Sequence, residues 1–148
     1  MEVQLDNILK NRGIRPTAMR LLVLRFLANS KTAKTLNAIE NSFDMADRTT
    51  LYRTIKLFEK KGVVHQIDNG TGVANYALCE ENCNCVPGKD LHLHFHCTKC
   101  GETLCLTKHK IPKINLPNGY MPENINLLVT GQCPSCFHKV DKNCSLSL

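Results

Sequence analysis

Residues 47–78 read DRTTLYRTIKLFEKKGVVHQIDNGTGVANYAL, and the reading of this stretch decides the fold. Asp47 is an N-cap residue, the run to Lys61 holds no proline or glycine, and Gly62 supplies a stop, so the spacing predicts a helix over 47–61. Leu51, Ile55 and Phe58 fall at i, i+4 and i+7 and form a stripe that can face a core. The opposite side carries Arg48, Thr49, Tyr52, Arg53, Lys56 and Lys60. Two β-type segments follow, Val63 to Asp68 and Val73 to Leu78, and Asn69-Gly70-Thr71-Gly72 between them is a hairpin signal.

Upstream, residues 2–11 form a short helix that ends near Gly13. A second helix starts at Arg15-Pro16-Thr17, with Pro16 in an early helical position and Leu21, Leu22, Val23, Leu24, Phe26 and Leu27 supplying its buried side. Leu36, Ile39, Glu40 and Phe43 mark a third. Three or four helices followed by a hairpin is the order of a winged helix-turn-helix, which lays the helix over 47–61 in the DNA major groove and sets the hairpin against the backbone. A basic helix face alone is as often merely solvated. The hairpin and the charge asymmetry favour DNA: residues 1–78 carry twelve Lys and Arg against seven Asp and Glu, net +5, while residues 79–148 carry seven against six, net +1.

The ligand-type residues split the other way. Of nine cysteines and six histidines in the 148 residues, the first 78 hold only His65. The chain is long enough for about one ordinary domain or two very small ones, and too short for most multi-layer enzymes. Its first residues are acidic where a secretory signal is basic, and its longest apolar run, Leu21 to Leu24, cannot span a bilayer. A cytoplasmic location with reduced thiols is therefore expected, so cysteine clusters read as metal ligands before disulfides. Residues 79–90, with Pro87 and Gly88, are expected to form a hinge between a domain over 1–78 and a second over 91–148. Strands are expected over 91–97, 103–107 and 125–130, with Pro112, Pro117, Pro122 and Gly119 breaking up the segment between the last two.

Cys97-x-x-Cys100 and Cys133-x-x-Cys136 are the sharpest motif. Two residues between cysteines let one turn present both sulfurs to an ion at about 2.3 Å, and two such knuckles complete a tetrahedral zinc site. Four thiolates leave no open position, so this zinc is structural. In the strand over 91–97, His92, His94 and His96 share one face and Leu91, Leu93 and Phe95 the other. Lying between a cysteine-containing hinge and a zinc knuckle, those histidines are expected to contribute to a second metal site.

The chain resembles the ferric uptake regulator (Fur) family over nearly its whole length. The resemblance is carried by Gly13-Ile14-Arg15-Pro16-Thr17 with Arg20, Thr50-Leu51-Tyr52-Arg53-Thr54-Ile55 with Leu57 and Gly62, His94-Phe95-His96-Cys97-Thr98-Lys99-Cys100-Gly101, and Gly131-Gln132-Cys133-Pro134-Ser135-Cys136. It implies an α+β protein, an N-terminal winged helix followed by a small α/β dimerisation domain with the four-cysteine zinc site. It further implies that Tyr52 and Arg53, with Thr49 beside them, contact DNA and that Arg15 approaches the minor groove. Arg48 joins that set from helix position only.

Departures from the family pattern choose a branch. Iron sensors of the family draw a histidine from the early helices, and none precedes His65 here. Their carboxylate after the wing corresponds to Ala77, and the one after the first knuckle to Cys105. A further site using histidine and aspartate around the histidine strand would need ligands where Leu91 and Leu93 stand, which also weakens a peroxide-sensing reading. The remainder resembles the zinc uptake regulator branch, implying a second, regulatory zinc held by His65, Cys79, His92 and His94, with Cys105 as an alternative ligand. Cys83, Cys85 and Cys144 match no family role.

The expected function is a zinc-responsive repressor of metal-uptake genes, a homodimer on double-stranded operator DNA, with no enzymatic activity, membrane attachment or small organic substrate. The alternatives are an iron-responsive or other metal-responsive repressor of the same family, a zinc-binding thiol oxidoreductase built on Cys133 and Cys136, and a zinc-storage or RNA-binding ribbon protein.

Overall fold

The computed structural model describes residues 2–79, 92–110, 112–123 and 125–138. The expected hinge over 79–90 falls, but for Cys79, outside the described residues, as do Cys83, Cys85 and Cys144. Four helices, α1 (Glu2–Asn11), α2 (Ala18–Asn29), α3 (Leu36–Asn41) and α4 (Arg48–Lys60), come with a three-stranded sheet of β1 (Lys34–Thr35), β2 (Val64–Asp68) and β3 (Ala74–Leu78). A second sheet holds β4 (His92–Cys97), β5 (Thr103–Lys110) and β6 (Leu127–Gly131). The architecture is α+β, a winged helix-turn-helix followed by a second three-stranded sheet. Among the described residues no helix is long and apolar enough to cross a membrane.

Helix α4 forms for the reasons its sequence gives. Asp47 Oδ2 accepts from the Thr50 amide at 2.9 Å and from its hydroxyl at 2.8 Å, satisfying an amide the helix leaves open. These bonds hold the Asp47 carboxyl below its ordinary range. Gly62, at φ +71°, takes the left-handed conformation that turns the chain out of the helix. Leu51, Ile55 and Phe58 are fully buried, each stabilising the fold by about 1.5–3 kcal/mol relative to exposure. They meet Leu9, Val23, Leu24 and Ile39 from the other three helices in one core.

One helix start differs from expectation. Helix α2 begins at Ala18 because the Thr17 hydroxyl caps it by accepting from the Arg20 amide, which leaves Pro16 outside the helix. Leu22, expected on the buried side of α2, is 42% exposed. Strand β1 was not anticipated. Two residues are too few to show a period, and they are strand only because Lys34 and Thr35 pair with Tyr76 and Asn75 of β3.

In the first sheet β3 lies between β1 and β2, antiparallel to both. In the second, β4 is central, antiparallel to β5 and parallel to β6. A parallel neighbour needs a crossover, and the proline-broken segment before β6 supplies it without helix or strand in residues 112–123. The sheets touch: the Asn126 side-chain amide donates to the Asp68 carbonyl at 3.4 Å, and the Ala33 amide donates to the Thr103 carbonyl at 2.8 Å.

Candidate metal centres and nucleic-acid face

Strand register builds the first centre. Cys97 lies opposite Gly131 at the ends of β4 and β6, and the Thr98 amide and hydroxyl both donate to the Gly131 carbonyl, at 2.8 and 3.2 Å. The turn after β4 and the segment after β6 therefore leave the sheet side by side. The Cys133 amide donates to Cys97 Sγ at 3.3 Å, and Cys100 Sγ lies 3.9 Å from Cys133 Sγ. The sulfurs of Cys97, Cys100, Cys133 and Cys136 all fall within 4.8 Å of one another.

The electrostatics of this knot ask for a cation. Backbone amides around Cys97, those of Cys100 and Cys133 foremost, lower its thiol from 9.0 to about 6. Cys136 is pushed up to about 12 by the hydrogen bond it shares with Cys133, then by burial and its contacts with Cys97 and Cys100. One sulfur is prepared as thiolate and another cannot ionise beside it without a compensating charge. Four soft ligands at tetrahedral reach fit zinc, which supplies that charge.

The second centre is assembled from both sheets. His94 and Cys105 are cross-strand partners on β4 and β5, so their side chains share a face. His65 comes from β2 of the winged helix, and the ligand atoms of His65, His94 and Cys105 lie within 4.8 Å of one another. The His65 and His94 rings are 5.7 Å apart. His65 pairs with Ala77 across the wing, so Cys79, two residues beyond Ala77, lies diagonally next to it. Cys79 Sγ is 3.4 Å from His65 Nδ1. His65 is 7% and His94 3% exposed, burial uncommon for this residue type. Two imidazoles and two thiols, with no carboxylate among them, suit zinc in preference to harder divalent ions.

Of the residues expected at this centre, His65, His94 and Cys105 converge, and Cys79 stands beside the group through its contact with His65. The His92 side chain lies outside the described residues. His96, on the same face as His94, has its Nδ1 3.0 Å from the Thr103 hydroxyl, so it serves a different contact.

The face of α4 away from the core leaves Arg48, Thr49, Tyr52 and Arg53 exposed, as is Arg15 in the loop before α2. Arg20 fixes that loop by donating to the Arg15 carbonyl at 2.7 Å. Tyr52 is 48% exposed. Lys56 sits beside it, its Nζ 5.7 Å from the Tyr52 ring centroid and 6.0 Å from that of Tyr76 on β3, so a positive charge lies between α4 and the wing. Arg48 is engaged within the protein: it pairs with Glu40 and donates to Asn37 Oδ1 at 2.7 Å, tying the start of α4 to α3. Sequence reasoning missed Asn69 and Thr103, whose side chains meet at 3.0 Å in a buried contact between the sheets. A contact between residues 34 positions apart has no periodic signal that could have announced it.

A winged helix with an exposed basic recognition face, joined through a soft-ligand cluster to a sheet knotted by four thiols, defines a DNA-binding regulator with metal sites. Comparison makes this specific: the model of the ferric uptake regulator family matches residues 11–125, and the chain belongs to that family. It is a metal-responsive regulator of this family and not an enzyme, so the oxidoreductase reading of Cys133 and Cys136 falls. The ferric uptake regulation protein of Synechococcus elongatus is 28% identical over 138 residues, covering 86% of this chain and 89% of that protein. The peroxide operon regulator of Bacillus subtilis is 22% identical over 139 residues, covering 88% and 90%. Among solved structures, a zinc uptake regulator complexed with zinc and DNA superposes with a TM-score of 0.65 at 20% identity, covering 95% of each chain. The Vibrio cholerae ferric uptake regulator gives 0.60 at 18%, covering 86% of this chain and 98% of the other. The family match ends before Cys133, so the second knuckle rests on the spacing and the sulfur geometry.

Proposed function

We propose that the protein is a zinc-responsive repressor of metal-uptake genes that acts as a cytoplasmic homodimer on palindromic operator DNA. Residues 1–78 read the DNA, 79–90 form the hinge, and 91–148 dimerise. A structural zinc belongs to Cys97, Cys100, Cys133 and Cys136, and a regulatory zinc to His65, Cys79, His94 and Cys105. The observation that carries this reading is the meeting of His65 from the wing with His94 and Cys105 from the second sheet, with Cys79 at 3.4 Å from His65. His92 ranks behind Cys105 as the fourth ligand because Cys105 already stands opposite His94.

Bound zinc would supply coordinate bonds joining four groups that belong to different elements. His65 and Cys79 then hold the two strands of the wing, and His94 and Cys105 hold β4 and β5, so the wing cannot turn independently of the second sheet. Fixing the wing fixes α4, because Phe58, Ile55 and Val64 share one core. Two recognition helices in a dimer must present Thr49, Tyr52 and Arg53 to major grooves about 34 Å apart, and an arrangement held at one angle meets that spacing more often than a freely hinged one. Arg15 and Arg53 add phosphate or base contacts that make affinity salt-dependent. By linkage, operator DNA tightens the regulatory zinc by the same factor that zinc tightens DNA.

Metal analysis of the purified protein, followed by operator binding with zinc, ferrous iron or chelator present, tests the reading. Two zincs per chain and zinc-dependent binding are expected. Binding restored by ferrous iron and not by zinc would replace it with the iron-responsive alternative. Arg53→Ala should weaken operator binding by about 1–3 kcal/mol and flatten its salt dependence by about one phosphate contact. Unchanged affinity together with an unchanged salt slope would remove Arg53 from the interface.

A further inference from the structure

Thr103 is a polar residue with 1% of its surface exposed. Its hydroxyl accepts from Asn69 Nδ2 at 3.0 Å and lies 3.0 Å from His96 Nδ1. Its carbonyl accepts from the Ala33 amide at 2.8 Å. Asn69 leads the loop between β2 and β3, and Ala33 precedes β1, so two separate parts of the winged helix grip one residue of β5. The neighbouring Glu102 accepts from the Thr32 hydroxyl and lies 3.7 Å from Lys34 Nζ. The grip is polar and buried, with Asn69 5% exposed, which makes it directional: the hydrogen bonds form at one relative placement of the two sheets and are lost at others.

Register sets this contact beside the regulatory centre. His96 pairs with Thr103 and His94 with Cys105, successive rungs of β4 and β5 on one face, about 7 Å apart along the strand. On the winged-helix side, Asn69 follows His65 by four residues, just past the end of β2. The segment that bears Thr103 is in turn fixed by the first knuckle, where Cys97 donates its amide to the Glu102 carbonyl at 2.9 Å.

We infer that Thr103, gripped by Asn69 and Ala33, is a positioning residue for the regulatory metal site: it holds the winged helix against β5 so that His65 already faces His94 and Cys105 before metal arrives. The inference rests on the regulatory-site reading above. The action of Thr103 is to remove part of the ordering cost that ligands on two separate bodies would otherwise bear when metal binds.

Thr103→Val keeps the shape and removes the hydroxyl, while Thr103→Ser retains the hydroxyl and serves as the rescue. With the four-cysteine site loaded, the second zinc is titrated against a chromophoric chelator, and hydrogen exchange is followed over residues 32–34 and 69–71 before it is added. Thr103→Val is expected to weaken the second zinc about five- to thirtyfold and to speed exchange in both segments, with Thr103→Ser near the parent. Operator affinity at saturating zinc should stay within about twofold, a split that general destabilisation would not produce. If Thr103→Val fails to retain the structural zinc, Asn69→Ala decides instead, because it removes the donated N–H and leaves no oxygen that could accept from the Thr103 hydroxyl. Parent-like second-zinc affinity and exchange in the variant would overturn the inference. A parent protein that takes up no second zinc would overturn the regulatory-site reading first, and the two failures are told apart by the parent titration.

Discussion

The two candidate metal centres use similar atoms and are built in opposite ways. The four-cysteine knot draws its ligands from the end of β4, the turn after it and the segment after β6, all on one sheet, and the Cys97–Gly131 register brings its halves together. The His65, His94 and Cys105 cluster draws on two sheets and exists only while they stay in contact. A centre contained in one sheet can stabilise that sheet, and its energy is folding energy. A centre shared between two bodies reports their relative placement, which is the property a switch requires.

The first way to break this contrast is Cys133→Ser. A weak oxygen ligand would replace a thiolate, and the hydrogen bond through which Cys133 shapes the titration of Cys136 would change with it. Loss of the structural zinc and of cooperative folding in the second sheet is expected, read by metal content and thermal unfolding. A folded, fully zinc-loaded variant would show that the knot is not a structural site. His94→Ala comes next. It should leave the knot loaded and the winged helix folded while abolishing zinc's effect on operator affinity, a coupling of typically about 5–150-fold. Loss of folding and of the structural zinc together in this variant would erase the division between the centres.

The sequence showed the knot and the wing more clearly than the second cluster, for a physical reason. Cys97 and Cys100 are two residues from a shared turn, and Asp47 to Gly62 is a complete helix with both ends marked, so local spacing carried each. His65 could be placed in the metal set only through the family resemblance, because nothing within ten residues of it hints at His94. Cys105 entered only as an alternative ligand, yet β4–β5 register sets it opposite His94, and register depends on the whole hairpin. Pro16 was placed inside α2 because proline suits a first turn, whereas the neighbouring Thr17 caps better and moves the boundary by two residues. Arg48 shows the converse limit. Helix position put it on the DNA-facing side, but its charge is also in reach of Glu40 one helix earlier, a tertiary fact that periodicity does not contain.

The mildest change sharpens the contrast most. Cys105→Asp places a carboxylate opposite His94 and should disturb neither fold nor knot, since Cys105 is only partly buried and belongs to a different cluster from Cys97 and Cys100. Two imidazoles and Cys79 remain, so zinc still binds. The harder oxygen ligand lowers the thiolate contribution that separates zinc from ferrous iron and manganese, and the selectivity of the second centre should narrow. Competition of zinc with ferrous iron or manganese at that centre, read alongside operator binding, measures the change. The knot, with all four thiolates intact, should keep its preference for zinc and serves as the internal control. If the preference at the second centre does not move, Cys105 is not a ligand, and His92, two residues before His94 in β4, becomes the candidate in its place.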